Sequence, residues 1–184
     1  MPFLGALICA SPVDHALHDA FGQVNGIDSY RGYGPEHMGF DLSRYLGSEY
    51  RGVYPSQFLR QDYAPTVPVF HLVGGLDLLR KSEVTAAFPQ DGIPNSLDAW
   101  IARDGVFCLK VKLQGRNLEW DLNRPLEVSR IYHEVRATVR PDLPARPYLT
   151  ADTNEQCESP EYMIEYLHKV REQAPQVYDE ILYI

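Results

Sequence analysis

The sequence has no excess of basic charge, few cysteines and no long apolar run, and each shortage removes a class of function. Lys and Arg number 17 against 25 Asp and Glu, a formal charge of −8. Nucleic acid and anionic membrane usually call for a basic surface, so neither is expected as a partner. The three cysteines, Cys9, Cys108 and Cys157, are odd in number and widely spaced. They give neither a disulfide framework nor the spacing of a metal knuckle, which points to a reducing cytoplasm. No run approaches the roughly 18 apolar residues a membrane span needs. The opening MPFLGALICA is apolar but short and without a basic flank, so it reads as a packed segment rather than a signal peptide. Internal repeats and low-complexity tracts are also missing. What is there is globular in character: 184 residues, 45% hydrophobic and 11% aromatic, enough for one sizeable core.

SPVDHALHDAFGQVNG predicts a helix. Ser11 can N-cap, Pro12 suits the first position, Asp14 favours the first turn, and Gly26 provides the stop. Val13, Leu17, Ala20, Phe21 and Val24 make its apolar face. Residues 27–66 follow as a long connection rich in Gly, Pro and Tyr, which reads as a functional loop or part of another domain. From VPVFHLVGG (67–75) the chain alternates regularly. Strand 67–73 precedes helical material at 82–87 and 96–104; strand VFCLKVKL (106–113) precedes a helix over 124–139. Strand YLTADTN (148–154) precedes SPEYMIEYLHKV, where Ser159 and Pro160 repeat the cap of Ser11 and Pro12, and YDEILYI supplies a fourth strand. Strand and helix in alternation predict an α/β fold with parallel strands, either half of an eight-stranded (β/α)8 barrel or a small open sheet.

Two strands carry unusual side chains. Strand geometry puts Phe107, Leu109, Val111 and Leu113 on one face of VFCLKVKL and Cys108, Lys110 and Lys112 on the other. If helices cover the apolar face, the lysines point to the opposite side, which in a barrel is the interior. Two ammonium groups there should lower each other's pKa and leave one able to act as a base near neutral pH. The alternation also fits a one-sided antiparallel strand with its lysines in water. In LTADTN, Thr150, Asp152 and Asn154 share a face, with Asp152 and Asn154 at the C-terminal end where α/β folds place their sites. A carboxylate beside an amide suits a hard cation such as Mg²⁺; a turn-forming cap is the plainer alternative. In neighbouring parallel strands the two sets would face one cavity, base against metal ligand, an arrangement suited to removing a proton α to a carboxylate.

With LKVKL as a K-x-K strand and LTADTNEQ as a D-x-N strand, preceded by SPVDHALHDAFGQVNG and by DLSRYLG leading into VPVFHLVGG, the sequence resembles the enolase superfamily, in its mandelate racemase/muconate lactonizing enzyme branch. The resemblance covers nearly the whole chain. It implies the end of an α+β capping domain and a linker over 1–66, then the first half of a (β/α)8 barrel over 67–184. It implies that Lys112 is the general base, that Lys110 lowers its pKa and contacts the substrate carboxylate, and that Asp152 is the first Mg²⁺ ligand with Asn154 supporting it. The reaction implied is Mg²⁺-assisted removal of the α-proton of a small-molecule carboxylate, ending in racemisation, epimerisation, dehydration or cycloisomerisation, in a homo-oligomer. The family's second metal ligand, a Glu closing the fourth strand, would come where this sequence stops at Ile184, and its remaining groups lie on later strands. These 184 residues alone are therefore expected to show little such activity.

Other readings stand beside this one. His71, in VPVFHLVGG, is a candidate substrate contact near Lys110, or else a buried, hydrogen-bonded histidine. His15 and His18 have the spacing of a metal pair but no third ligand nearby. Asp121 reads as an N-cap or a surface acid. Lys110 or Lys112 could instead form a Schiff base, as in lysine-dependent barrel aldolases. A truncated, non-catalytic or self-associating half-barrel is the third possibility, since open sheet edges need covering.

Overall fold

The computed structural model describes residues 2–184 and divides the chain into two compact units, Met1–Pro65 and Thr66–Ile184. In the first, helix α1 spans Phe3–Asn25. It begins well before the expected cap at Ser11, so Pro12 lies inside the helix instead of opening it. The Leu- and Ala-rich residues ahead of Ser11 are good helix formers and carry the helix through the proline despite the N–H it lacks. The expected stop holds: Gly26 is left-handed (φ 65°), and Ile27 N–H donates to Gly22 O at 3.0 Å.

Residues 27–65 are not a bare loop. They fold into short 3₁₀ turns and the single-turn helix α2 (Ser43–Leu46), organised around two aspartates. Asp28 Oδ1 accepts from Tyr30 N–H at 3.0 Å and from the Tyr63 hydroxyl at 2.6 Å. Asp41 accepts from the Ser43 hydroxyl at 2.5 Å and from Gly52 N–H at 2.7 Å. These bonds hold both carboxyls below the usual carboxylate range, with the Tyr63 and Ser43 hydroxyls the largest cause.

The second unit is a four-stranded parallel α/β sheet in the order β1 (Phe70–Val73), β2 (Cys108–Lys112), β3 (Tyr148–Asp152), β4 (Ile181–Tyr183). Helix α3 (Leu97–Asp104) joins β1 to β2, α4 (Leu118–Thr138) joins β2 to β3, and α5 (Pro160–Gln173) with α6 (Pro175–Glu180) joins β3 to β4. Parallel neighbours need such crossovers, because a tight turn cannot connect them. The core forms where Val73, Leu109, Val111, Leu149 and Ala151 meet Ile101, Ile131, Tyr132, Tyr166 and Val170 of the helices, all buried. At roughly 2 kcal/mol per large apolar side chain removed from water, this layer dominates the stability of the unit.

Several boundaries depart from expectation. The stretch 82–87 is helical only as a 3₁₀ turn at Lys81–Glu83, because Glu83 folds back to accept the backbone N–H groups of Leu79 and Arg80, each at 2.8 Å. Helix α4 starts at Leu118, not 124, since Asn117 caps it by accepting Trp120 N–H at 3.1 Å; Pro125 therefore falls inside. In YDEILYI only the last part is a strand: Tyr178–Glu180 belong to α6, started by Pro175. No helix of the described residues is long and apolar enough to cross a membrane.

Candidate active site

Strand register decides which side chains share a face. Lys110 pairs with Leu72 on β1 and Thr150 on β3, and Lys112 pairs with Asp152. Paired residues of parallel strands point the same way, so Leu72, Lys110, Lys112, Thr150 and Asp152 line one face, opposite the one the helices cover. On β4, Tyr183 joins this face beside Thr150. The two edge strands are about 14 Å apart across three spacings in a flat sheet, and the Phe70 and Tyr183 rings are 6.0 Å apart, so these two side chains lean towards each other over the face. Thr150 is only 3% exposed beneath them.

At the C-terminal ends of β2 and β3, Lys112 Nζ donates to Asp152 Oδ2 at 2.6 Å, and Lys110 Nζ forms an ion pair with the same oxygen at 2.8 Å. The other carboxylate oxygen, Oδ1, accepts the backbone N–H of Asn154 at 2.7 Å. Asn154 is left-handed (φ 52°), a conformation asparagine tolerates, and it turns its side-chain oxygen back to accept from Lys112. Lys112 thus sits between a carboxylate and an amide oxygen. A cavity of about 240 Å³ opens beside this cluster, lined by Lys110, Thr150, Ala151, Asp152, Tyr183 and Ile184.

The electrostatics correct one expectation. Mutual repulsion was expected to lower the lysines' pKa values, but Asp152 stands between them, and its hydrogen bond and charge raise Lys110 above the usual lysine value. The same contacts, Lys110 first and Lys112 second, hold the Asp152 carboxyl far below the usual carboxylate range. The three groups form one ion cluster with a surplus of positive charge.

His71 is not part of it. It pairs with Leu109, so it points to the helix side of the sheet, where its ring lies 4.9 Å from that of Trp100 on α3. A separate cavity of about 340 Å³ lies there, lined by His71, Asp77, Ser96 and Trp100 among others, and burial lowers the histidine's pKa. The expected substrate contact near Lys110 is ruled out by register: a one-residue offset puts a strand side chain on the other face. The smaller cavity is the one lined by Lys110 and Asp152. His18 Nδ1 faces its own helix at Asp14 O, 2.9 Å away.

Asp121 departs from its expected place. It is neither a cap nor on the surface: it is fully buried at 0% exposure in the first turn of α4. It accepts Gln114 N–H at 2.6 Å, Gly115 N–H at 2.8 Å and the Tyr162 hydroxyl at 2.5 Å.

Asp152 and Asn154 offer oxygen donors of the kind a hard cation prefers. A single carboxylate is not a cage, and among the described residues no group of three His, Cys, Asp or Glu stands together to hold a metal ion. The residues present do not by themselves fit Mg²⁺. No protein-family model, curated protein or solved structure matches this chain.

Proposed function

We propose that the chain is related to the mandelate racemase/muconate lactonizing enzyme branch of the enolase superfamily, and that its sheet is the first half of a (β/α)8 barrel. In this reading residues 1–66 are the end of the capping domain. The sequential parallel order β1-β2-β3-β4, each strand joined to the next by a helical crossover, is that of a barrel wall. The reading rests above all on Lys110, Lys112 and Asp152 meeting on that face at the C-terminal strand ends, where barrels place their chemistry. Lys112 is the base that takes the α-proton of a small carboxylate. Lys110 holds the substrate carboxylate by a charge-assisted bond now made to Asp152. Mg²⁺ enters this reading only through Asp152 as one ligand of an incomplete set.

Lactate serves as a small 2-hydroxycarboxylate probe, followed by NMR. It should shift the side-chain signals of Lys110 and the backbone signal of Thr150, and Lys110→Met should abolish both shifts. Absence of shifts in the parent chain, or their survival in the variant, would overturn the assignment. With Mg²⁺ and lactate in D₂O the 184-residue chain should exchange no α-proton above background; clear exchange would show that its metal set is sufficient after all. Borohydride trapping with pyruvate should give no adduct, whereas an adduct on Lys110 or Lys112 would establish Schiff-base chemistry instead. Leu72, Leu182 and Tyr183 on the edge strands are each more than half exposed, which favours self-association; a stable monomer by light scattering would remove that part of the reading.

A further inference from the structure

Asp121 binds three donors that lie on two different crossovers. Gln114 and Gly115 belong to the loop that leaves β2 directly after Lys112, and Tyr162 belongs to α5, beyond the loop that leaves β3 after Asp152. The two loops also touch. Gly115 is left-handed (φ 72°), and a Cβ there would stand 3.1 Å from Cys157 N and from Gln156 C. Between Lys112 and this knot, Leu113 N–H donates to Asp152 O at 2.9 Å, which keeps β2 and β3 paired up to the lysine. A carboxylate wholly out of water is tolerated only where hydrogen bonds replace its hydration, and here all three donors come from segments flanking the ion cluster.

We propose that Asp121 is a positioning residue for the Lys112–Asp152 pair. By fixing the exit of β2 and tying it to the helix that follows the β3 loop, it keeps Lys112 Nζ between Asp152 Oδ2 and Asn154 Oδ1. Its catalytic consequence rests on the reading of Lys112 as a base; its geometric content does not.

The test uses the whole chain and needs no turnover. Asp121→Asn leaves one accepting oxygen, and its amide nitrogen cannot accept from the donors now on the other. Hydrogen exchange at the Gln114 and Gly115 amides should rise at least tenfold, while Leu109 and Val111 in the strand core stay within about twofold. The Cε–Hε signals of Lys112 and the side-chain amide of Asn154 should move with it. Loosened loop amides with unmoved Lys112 and Asn154 signals would make Asp121 merely structural and overturn the proposal, as would unchanged exchange. Tyr162→Phe removes one donor and keeps both loop bonds. It should raise exchange several-fold at Gly115 and less at Gln114, with a smaller displacement of the Lys112 signals. If Asp121→Asn does not fold, unaltered Gly115 exchange and unmoved Lys112 signals in Tyr162→Phe overturn the proposal alone. Failure of lactate to reach Lys110 would remove the functional reading and leave these outcomes standing.

Discussion

Replacing Tyr162 and Tyr166, one turn apart on α5, by phenylalanine should move stability in opposite directions. The Tyr162 hydroxyl donates to buried Asp121 at 2.5 Å. Losing a hydrogen bond to a charged, buried acceptor costs about 1.5–3 kcal/mol. The Tyr166 hydroxyl is fully buried and has no hydrogen-bond partner among the described residues. Burial without a partner is a standing penalty of about 1–3 kcal/mol, and removing the oxygen leaves a gap smaller than a methyl, at a cost of roughly 1 kcal/mol. Tyr166→Phe should therefore be neutral or stabilising by up to about 2 kcal/mol. Burial raises the pKa of both phenols, so the tyrosines stay protonated across the working range and the comparison is free of titration. Urea unfolding read by far-UV circular dichroism should separate the two variants by roughly 3 kcal/mol, and melting should separate them by about 10 °C. If Tyr166→Phe loses more than 1 kcal/mol, the account of its hydroxyl is refuted. Equal losses in both variants would further refute the special standing of Asp121.

Three other outcomes follow from the same geometry. Gly115→Ala should destabilise by about 1–3 kcal/mol, from left-handed backbone and the crowding of Gln156 and Cys157; denaturant unfolding at parental stability would contradict this. Pro12→Ala restores a missing helix hydrogen bond inside α1 and should gain up to about 3 kcal/mol of helix stability. An unchanged signal at 222 nm on heating would count against an interior Pro12. Finally, Asp152 is depressed by its lysines, so its contribution is full well above the usual carboxylate value of 3.8 and is lost as pH falls through and below it. Urea midpoints from pH 6 down to pH 3 should fall less steeply in Asp152→Asn than in the parent; identical slopes would refute the linkage.

The strand alternation made the Lys110, Lys112 and Asp152 face legible, because period-2 geometry assigns faces without knowledge of neighbours. His71 was not legible, since its face depends on register with β2, which no local pattern encodes. Asp121 escaped for a similar reason: its burial depends on a tyrosine from a later helix and on two amides from an earlier loop. The helix boundaries failed at proline. Pro12 suits a helix start and the second long helix was expected only from 124, yet Pro12 and Pro125 both lie inside helices whose flanking residues favour the helix enough to carry it through. In YDEILYI, β-forming side chains concealed a helical turn started by Pro175.

Under the proposed reading, the sharing of one carboxylate oxygen by two ammonium groups makes the site its own competitive inhibitor. An anion arriving at Lys110 must take the place of Asp152, and a cation arriving at Asp152 must take the place of both lysines. Each exchange releases what the other ligand needs, so an anion and a cation should bind with positive, reciprocal cooperativity: either one raises affinity for the other by the same factor. On that reading the cluster is a latch that opens for the pair more readily than for either ion alone.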